Sequence, residues 1–414
     1  MAATMDDNQT SQLHRRDFLQ TGALASAAAL TLGSPSLGDN PKASKPTLPT
    51  RKLGKTGVEV TILNHGTWLA PGSMERLLRT SYASGVRFFD TAKTYGTEPG
   101  IGRWLHAMPE VRKDIFLATK DLPRSASQMM GLLDQRLAAL KLDSVDLFYV
   151  HALGDDDSVP NPVRFARSLE FGRAIEAIKR SGKAKFVGFS THHPAKAQII
   201  QSAAQGGFVD AIMLSFTPWI ERDDPINKAL DAAHAKGIGL ISMKQLSGSD
   251  AERMQVLGAV AELVPGLQER GLSPYQGLLQ AIWSDERIAS CCVSMRNLDQ
   301  VAENTRAAAD FRPLEAAQML GLRDAFLASK PTMCANCDGR CSKAAGTDAE
   351  LGTLTRFLTY HEQSGRRSEA RRRFAAMPEA AKDWAGADLA AAQAACPSRL
   401  DFADLLPRVD RDLA

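Results

Sequence analysis

The sequence predicts an α/β fold: a closed (β/α)8 barrel followed by an α-helical carboxyl-terminal module. Three observations carry that expectation. Short apolar runs rich in β-branched and aromatic residues alternate with amphipathic stretches over residues 50–312. Successive runs lie about thirty residues apart, the length of one strand-plus-helix unit. Polar groups stand where the runs stop: Asp90, with Tyr95 five residues on, then Lys120, then His151. All should face one rim, the carboxyl ends of consecutive parallel strands, where such a barrel places its chemistry.

Taken in order, the runs end at Gly66, Asp90, Lys120, His151, Ser190, Thr217, Lys244 and Ser294, which makes eight strands. Between them, stretches such as 126–140 and 163–180 repeat apolar residues at three- and four-residue spacing, as helices packed on a barrel require. Ahead of the first run, residues 1–49 read as an export signal and linker. His14-Arg15-Arg16-Asp17-Phe18-Leu19-Gln20, followed by an Ala- and Leu-rich segment, is the pattern of a twin-arginine signal. His14 stands where Ser or Thr is usual and Gln20 where Lys is usual. Export to the periplasm through the twin-arginine machinery is the expectation, and residues 31–49 read as the linker in which cleavage falls. After the barrel, residues 313–414 have helical composition, with stretches 313–330, 349–364 and 366–377 poor in β-branched residues.

Bulk properties exclude several classes. The formal net charge of +3 is too small to argue for nucleic acid. The apolar stretch 22–32 is far short of the roughly 20 residues of a membrane helix. No repeat occurs beyond the architectural period.

The four rim groups have a physical use together. A tyrosine of ordinary pKa, about 10, is a poor proton donor at neutral pH. An ammonium beside it favours the phenolate and is expected to pull that pKa down, while a carboxylate pairs with the lysine and holds it. Histidine then orients a carbonyl or shares the proton. Any one of these residues alone reads as a solvated strand-end group; four at this spacing do not.

Together with 51–68 (RKLGKTGVEVTILNHGTW), FFDTAKTYG, GFSTHHP, GIGLISMK and VSMRNLDQVAEN, these residues resemble the aldo-keto reductases over roughly residues 51–310. The resemblance implies a carbonyl-reducing or alcohol-oxidising enzyme acting on a small molecule. Tyr95 would be the general acid, Lys120 and Asp90 would tune it, and His151 would orient the substrate. It implies a nicotinamide nucleotide, NADP or NAD, held by Thr67, Asp90, Ser190, Thr191, Met243, Lys244, Arg296, Gln300 and Asn304. No Gly-rich dinucleotide fingerprint is present, so phosphate binding falls to the loops after strands seven and eight. Gln300 stands where many relatives carry a second arginine for the 2′-phosphate. Met213 stands where a glutamine is common, and Met243 where some members stack a tyrosine; methionine packs on a ring but cannot hold a carboxamide as glutamine does. These departures keep a second reading open, a noncatalytic redox or ligand-binding barrel.

Cys334, Cys337 and Cys341, in MCANCDGRC, with Cys396 before Pro397, have a metal-site spacing. In two-cluster ferredoxins the last cysteine of each run crosses to the other cluster. Three cysteines of one run and the Cys-Pro of the other leave one complete site. The tail resembles the ferredoxin-like tail of some aldo-keto reductases, reduced to one 4Fe-4S cluster, acting as brace or as relay to a redox partner. Zinc suits four thiolates too, and disulfides or free thiols remain open. Cys291 and Cys292, inside the eighth run, read as strand filling with no role.

Overall fold

The computed structural model describes residues 47–414 apart from positions 69, 71, 73, 155–158, 246–265, 268, 335–337 and 364. The twin-arginine segment therefore lies outside the described residues, as does Cys337. The unit 45–414 is described below.

A short antiparallel hairpin, β1 (Thr50–Lys52) with β2 (Glu59–Thr61), opens it. Leu53 and Val60 of this hairpin are fully buried among the side chains that fill the barrel interior, so the hairpin plugs the amino-terminal end. Its turn is tight against the barrel. Gly54 has φ +54°, and a Cβ there would stand 2.1 Å from the Gly237 carbonyl, so only glycine fits.

Eight parallel strands follow: β3 (Leu63–Gly66), β4 (Phe88–Asp90), β5 (Phe116–Asp121), β6 (Val145–Val150), β7 (Ala184–Thr191), β8 (Ala211–Ser215), β9 (Gly239–Met243) and β10 (Ile288–Val293). They pair in chain order and close through β10 on β3. The predicted run ends fall within two residues of the observed strand ends. Phe88, Leu147, Tyr149, Met213 and Ile241 fill the interior, while a second apolar shell lies between strands and helices. Burial on both faces is why the strands read as continuous apolar runs.

The helix expected over 163–180 is broken. Pro162–Phe165 forms a short helix, and Ser168 then caps a new one, Leu169–Arg180, its Oγ accepting from the Phe171 N–H. At the carboxyl-terminal end, helix Ala316–Ala328 buries Leu322, Ala325 and Phe326 in the barrel's outer shell. The tail's own core runs from Cys341 to Leu413, through helices that include Leu351–Gln363, Arg367–Ala376, Leu389–Ala395 and Phe402–Leu413. The last two, with Arg340–Ala344, were not anticipated from composition. They are short or carry an interior proline, Pro407.

Candidate active site

Each rim residue reaches the site by a definite local device. β4 ends on Asp90, and a 3-10 turn, Lys93–Tyr95, follows it. Gly96, at φ +69°, closes that turn and leaves the Tyr95 phenol facing the barrel axis. β5 carries Lys120 inward to 1% exposure. Its Nζ forms an ion pair with Asp90 Oδ1, donates to the Thr91 carbonyl at 2.9 Å, and stands 5.0 Å from the Tyr95 ring centroid. His151 follows β6, its ring edge-on to Tyr95 with centroids 5.6 Å apart and planes at 88°. All four line one cavity of about 900 Å³. Arg136 braces them from behind, bridging Glu98 (2.8 Å) and Asp121 (3.0 Å), while Thr119 donates to Glu98 at 2.6 Å.

The charges follow from burial. Burial lowers the pKa of Lys120, but its neighbours, Asp90 first among them, outweigh burial and hold the ammonium charged. Tyr95 departs from expectation. Burial pushes its phenol up to about 12; Lys120 pulls it down as anticipated but is outweighed, with Asp90 and Cys292 adding to the rise. The free protein thus holds a firmly protonated phenol. His151 is depressed well below its ordinary value by burial, then by Lys120, Arg373 and Lys244, so the imidazole is neutral. Its buried Nδ1 has no hydrogen-bond partner among the described residues.

Cys292, read as filling, lines the cavity beside Asp90. Burial and then Asp90 hold its thiol well above the ordinary value. Cys291 points the other way, into the outer shell, where Gln245 Nε2 donates to it at 2.8 Å. Strand alternation carries this distinction, since one of two adjacent strand residues must face inward.

Of the residues expected to hold a nucleotide, Asp90, Ser190, Met243, Lys244, Arg296, Gln300 and Asn304 line the cavity, as does Met213. Thr67 and Thr191 do not. Both are fully buried behind the wall, where Thr67 Oγ1 donates to the Asp90 carbonyl at 3.0 Å and Thr191 Oγ1 to the Leu153 carbonyl at 3.0 Å. Ser190 Oγ accepts from the Ala152 N–H at 2.9 Å, which leaves its own proton for an acceptor. Asn297 caps helix Leu298–Ala309, and Gln300 Oε1 turns back to accept from the Arg296 N–H at 2.7 Å. Gln300 therefore serves the turn that presents Arg296.

Composition does not reveal that the tail forms the far wall. Arg356, Tyr360, Arg366, Arg372 and Arg373 of the tail, with Trp68 just after β3, line the same cavity as Tyr95. Lys244 Nζ donates to the Tyr360 hydroxyl and lies 4.6 Å from that ring's centroid. Arg356 donates to the His192 carbonyl at 3.3 Å, and Arg340 of the tail pairs with the buried Asp224. Cys341 and Cys396 are buried in the tail's core and Cys334 packs against it. A Cβ on Gly352 would stand 2.8 Å from the Cys334 sulfur, so the glycine keeps the space beside that thiol open. Among the described residues no group of three or more His, Cys, Asp or Glu side chains forms a metal site.

Comparison with known proteins agrees with this geometry. The family model described as "Aldo/keto reductase family" matches residues 63–325. L-galactose dehydrogenase of Arabidopsis thaliana is 26% identical over 293 residues, covering 64% of this chain and 89% of that protein. L-glyceraldehyde 3-phosphate reductase of Escherichia coli (strain K12) is 24% identical over 312 residues, covering 62% and 86%. Among solved structures, an aldo-keto reductase from Bacillus halodurans in its holo form shares the fold at TM-score 0.54 and 19% identity, over 67% of this chain and 96% of that one.

Proposed function

This chain belongs to the aldo/keto reductase family and is an NAD(P)-dependent oxidoreductase, and from that premise we propose that it interconverts a small carbonyl compound and its alcohol with Tyr95 as general acid. The observation that carries this is the buried Asp90–Lys120 ion pair lying under Tyr95 and across from neutral His151. Tyr95 holds its proton until a carbonyl oxygen in front of it gains charge. The ammonium of Lys120, fixed by Asp90, stabilises the phenolate left behind. His151 orients the carbonyl oxygen through its ring nitrogen. The bound nicotinamide nucleotide would supply or accept the hydride. Ser190, Met213, Met243, Lys244, Arg296, Gln300 and Asn304 would hold it. With Arg296 as the cation after β10 and Gln300 used by the backbone, the preference for NADP over NAD is modest at most. The relatives are named as a reductase and a dehydrogenase of sugar-like molecules, which favours turnover over the noncatalytic reading and points to a polyhydroxylated carbonyl compound.

We further propose that the tail thiols hold a metal, although the described ones do not themselves form a metal-ligating group. Cys341 and Cys396 share one core with Cys334 against it, and Gly352 leaves room beside a sulfur. Cys334, Cys341 and Cys396, with Cys337, would anchor one 4Fe-4S cluster, which would brace the tail or relay an electron to a redox partner; zinc is the alternative. Export by the twin-arginine route belongs to the same reading, because that route carries folded, loaded proteins. Replacing Arg15 and Arg16 by lysine should retain the precursor in the cytoplasm, as cell fractionation would show; periplasmic protein in that variant would end the export reading.

The direct test of the chemistry is Tyr95→Phe. Reduction of a panel of aldoses, followed by nicotinamide absorbance, should fall by about 100-fold or more while nucleotide binding persists. Lys120→Met should raise the phenol's pKa further, since the ammonium is what lowers it, and so move the rise of alcohol oxidation to higher pH. Undiminished turnover in Tyr95→Phe removes the assignment.

A further inference from the structure

Resting on the reading above of Asp90 and Lys120, we propose that Tyr149 and Asn64 form a buried water site beneath the cavity, and that Tyr149 is a positioning residue whose hydroxyl supports Asp90 Oδ2 through that water. Tyr149 stands on β6 two residues before His151, and Asn64 on β3 two residues before Gly66. Side chains two apart on a strand share a face. His151 and Gly66 line the cavity, so Tyr149 and Asn64 lie one layer deeper in the barrel, and both are wholly buried. In register, Asn64 stands between Cys292 of β10 and Phe88 of β4, and Phe88 and Tyr149 are among the side chains that fill the interior.

This layer holds polar atoms that the protein leaves unmatched. Among the described residues, both ends of the Asn64 amide, the Tyr149 hydroxyl and Asp90 Oδ2 are buried without a hydrogen-bond partner. Asp90 commits Oδ1 to Lys120 and has the Cys292 thiol, a weak donor, beside it. Orphaned polar atoms in an interior cost more than a hydrogen bond contributes, and interiors meet them with ordered water making about three bonds. One water that donates to Asp90 Oδ2 and Asn64 Oδ1 and accepts from the Tyr149 hydroxyl matches this donor and acceptor set. The ammonium of Lys120, held charged close by, disfavours a metal cation in the same place.

The water site bears on the reaction through charge. Burial raises the Asp90 carboxyl, against Lys120, which lowers it. Lys120 faces Asp90 from β5, Tyr149 from β6, Cys292 from β10 and Tyr95 from the loop after β4. Burial first, then Asp90 and Cys292, keep the Tyr149 phenol protonated, so it acts as a donor only. Each hydrogen bond into the carboxylate favours its charged form, and a charged Asp90 is what holds the Lys120 ammonium under Tyr95.

Two measurements on the full-length protein with NADP bound test this. A crystal structure that shows ordered water should place one within hydrogen-bond distance of both Asp90 Oδ2 and the Tyr149 hydroxyl. It should do so in wild type and in Tyr95→Phe alike, so the water site and the acid assignment of Tyr95 fail separately. Tyr149→Phe keeps the ring and removes one oxygen. It should lose that water and raise the Asp90 carboxyl, moving the acid-side fall of carbonyl reduction to higher pH by roughly one unit, the worth of a hydrogen bond to a charged group. NADP affinity should stay unchanged, with thermal melts confirming a folded protein. Asn64→Leu should move the profile the same way, whereas an amide that met no water would leave the profile alone and gain stability on becoming apolar. Crystals with no water in this layer, or wild-type pH profiles in both variants, would overturn the proposal.

Discussion

Burial, more than neighbouring charge, sets the titration of the phenol, imidazole and thiol groups in this barrel, whereas Lys120 is kept charged by its neighbours against burial. Tyr95 shows it, since an ammonium lies close by and the phenol still holds its proton to about 12. His65 shows it with a consequence for stability. It sits on β3 at 2% exposure, its Nδ1 2.7 Å from Ser81 Oγ, and burial lowers it from 6.5 to about 4. A depressed histidine leaves the unfolded chain binding the extra proton between those values, so stability present above pH 6.5 is lost as pH falls toward 4. The loss is on the order of 3 kcal/mol, at about 1.4 kcal/mol per pH unit across that gap. His151 and His192 shift the same way. Denaturant melts from pH 7 to 4 should therefore show a steep acid loss, and His65→Asn should make it shallower by one proton. An unchanged slope in that variant would mean His65 is charged in the folded state.

Among the elements, the tightest constraint lies between β7 and β8. Gly188 pairs with Ala211, and a Cβ on it would stand 1.8 Å from the Ala211 carbonyl oxygen. The atoms met are ladder backbone rather than a flexible side chain, so relief requires the strands to shift, and Ser190, two residues on, lines the cavity. Gly188→Ala should cost roughly 2 kcal/mol or more and weaken nucleotide binding together with stability, as thermal melts with and without NADP would show. A melt within a degree of wild type would mean the ladder yields. The other telling element is the 3-10 turn Lys93–Tyr95. A strand-plus-helix period places Tyr95 after β4, but the phenol's direction depends on a left-handed glycine one residue later.

For the whole molecule, the decisive matter is that the tail is part of the site. Arg340 pairs with Asp224, the N-cap of helix Pro225–Ala235, and Lys244 meets Tyr360. If the tail cysteines hold a cluster, the site joins Cys334 to Cys396 across more than fifty residues of chain. Closure entropy grows slowly with loop length, and metal–thiolate bonds contribute strongly to the folding of small modules. Cys396→Ala should lower iron and sulfide in anaerobically purified protein, loosen the tail to protease and, because the tail walls the cavity, weaken substrate binding. Cys291→Ala should leave metal content unchanged. One zinc per chain in wild type would make the tail a brace without electron transfer, and full iron in Cys396→Ala would bring in a different fourth ligand.

Local pattern alone determined the eight strands, their polar ends and the meeting of Asp90, Tyr95, Lys120 and His151, because in a barrel every strand end points to the same rim whatever lies between. Spacing along the chain could not separate Ser190, which faces the cavity, from Thr191, which faces away, nor give Cys292 its place beside Asp90. Those depend on strand register, and a shift of one residue reverses a side chain. Least legible was the wall of arginines. Helical composition predicts that the tail helices exist, but which face they turn to the barrel depends on packing between segments far apart in sequence. Only that packing sets Arg356 and Arg373 opposite Tyr95.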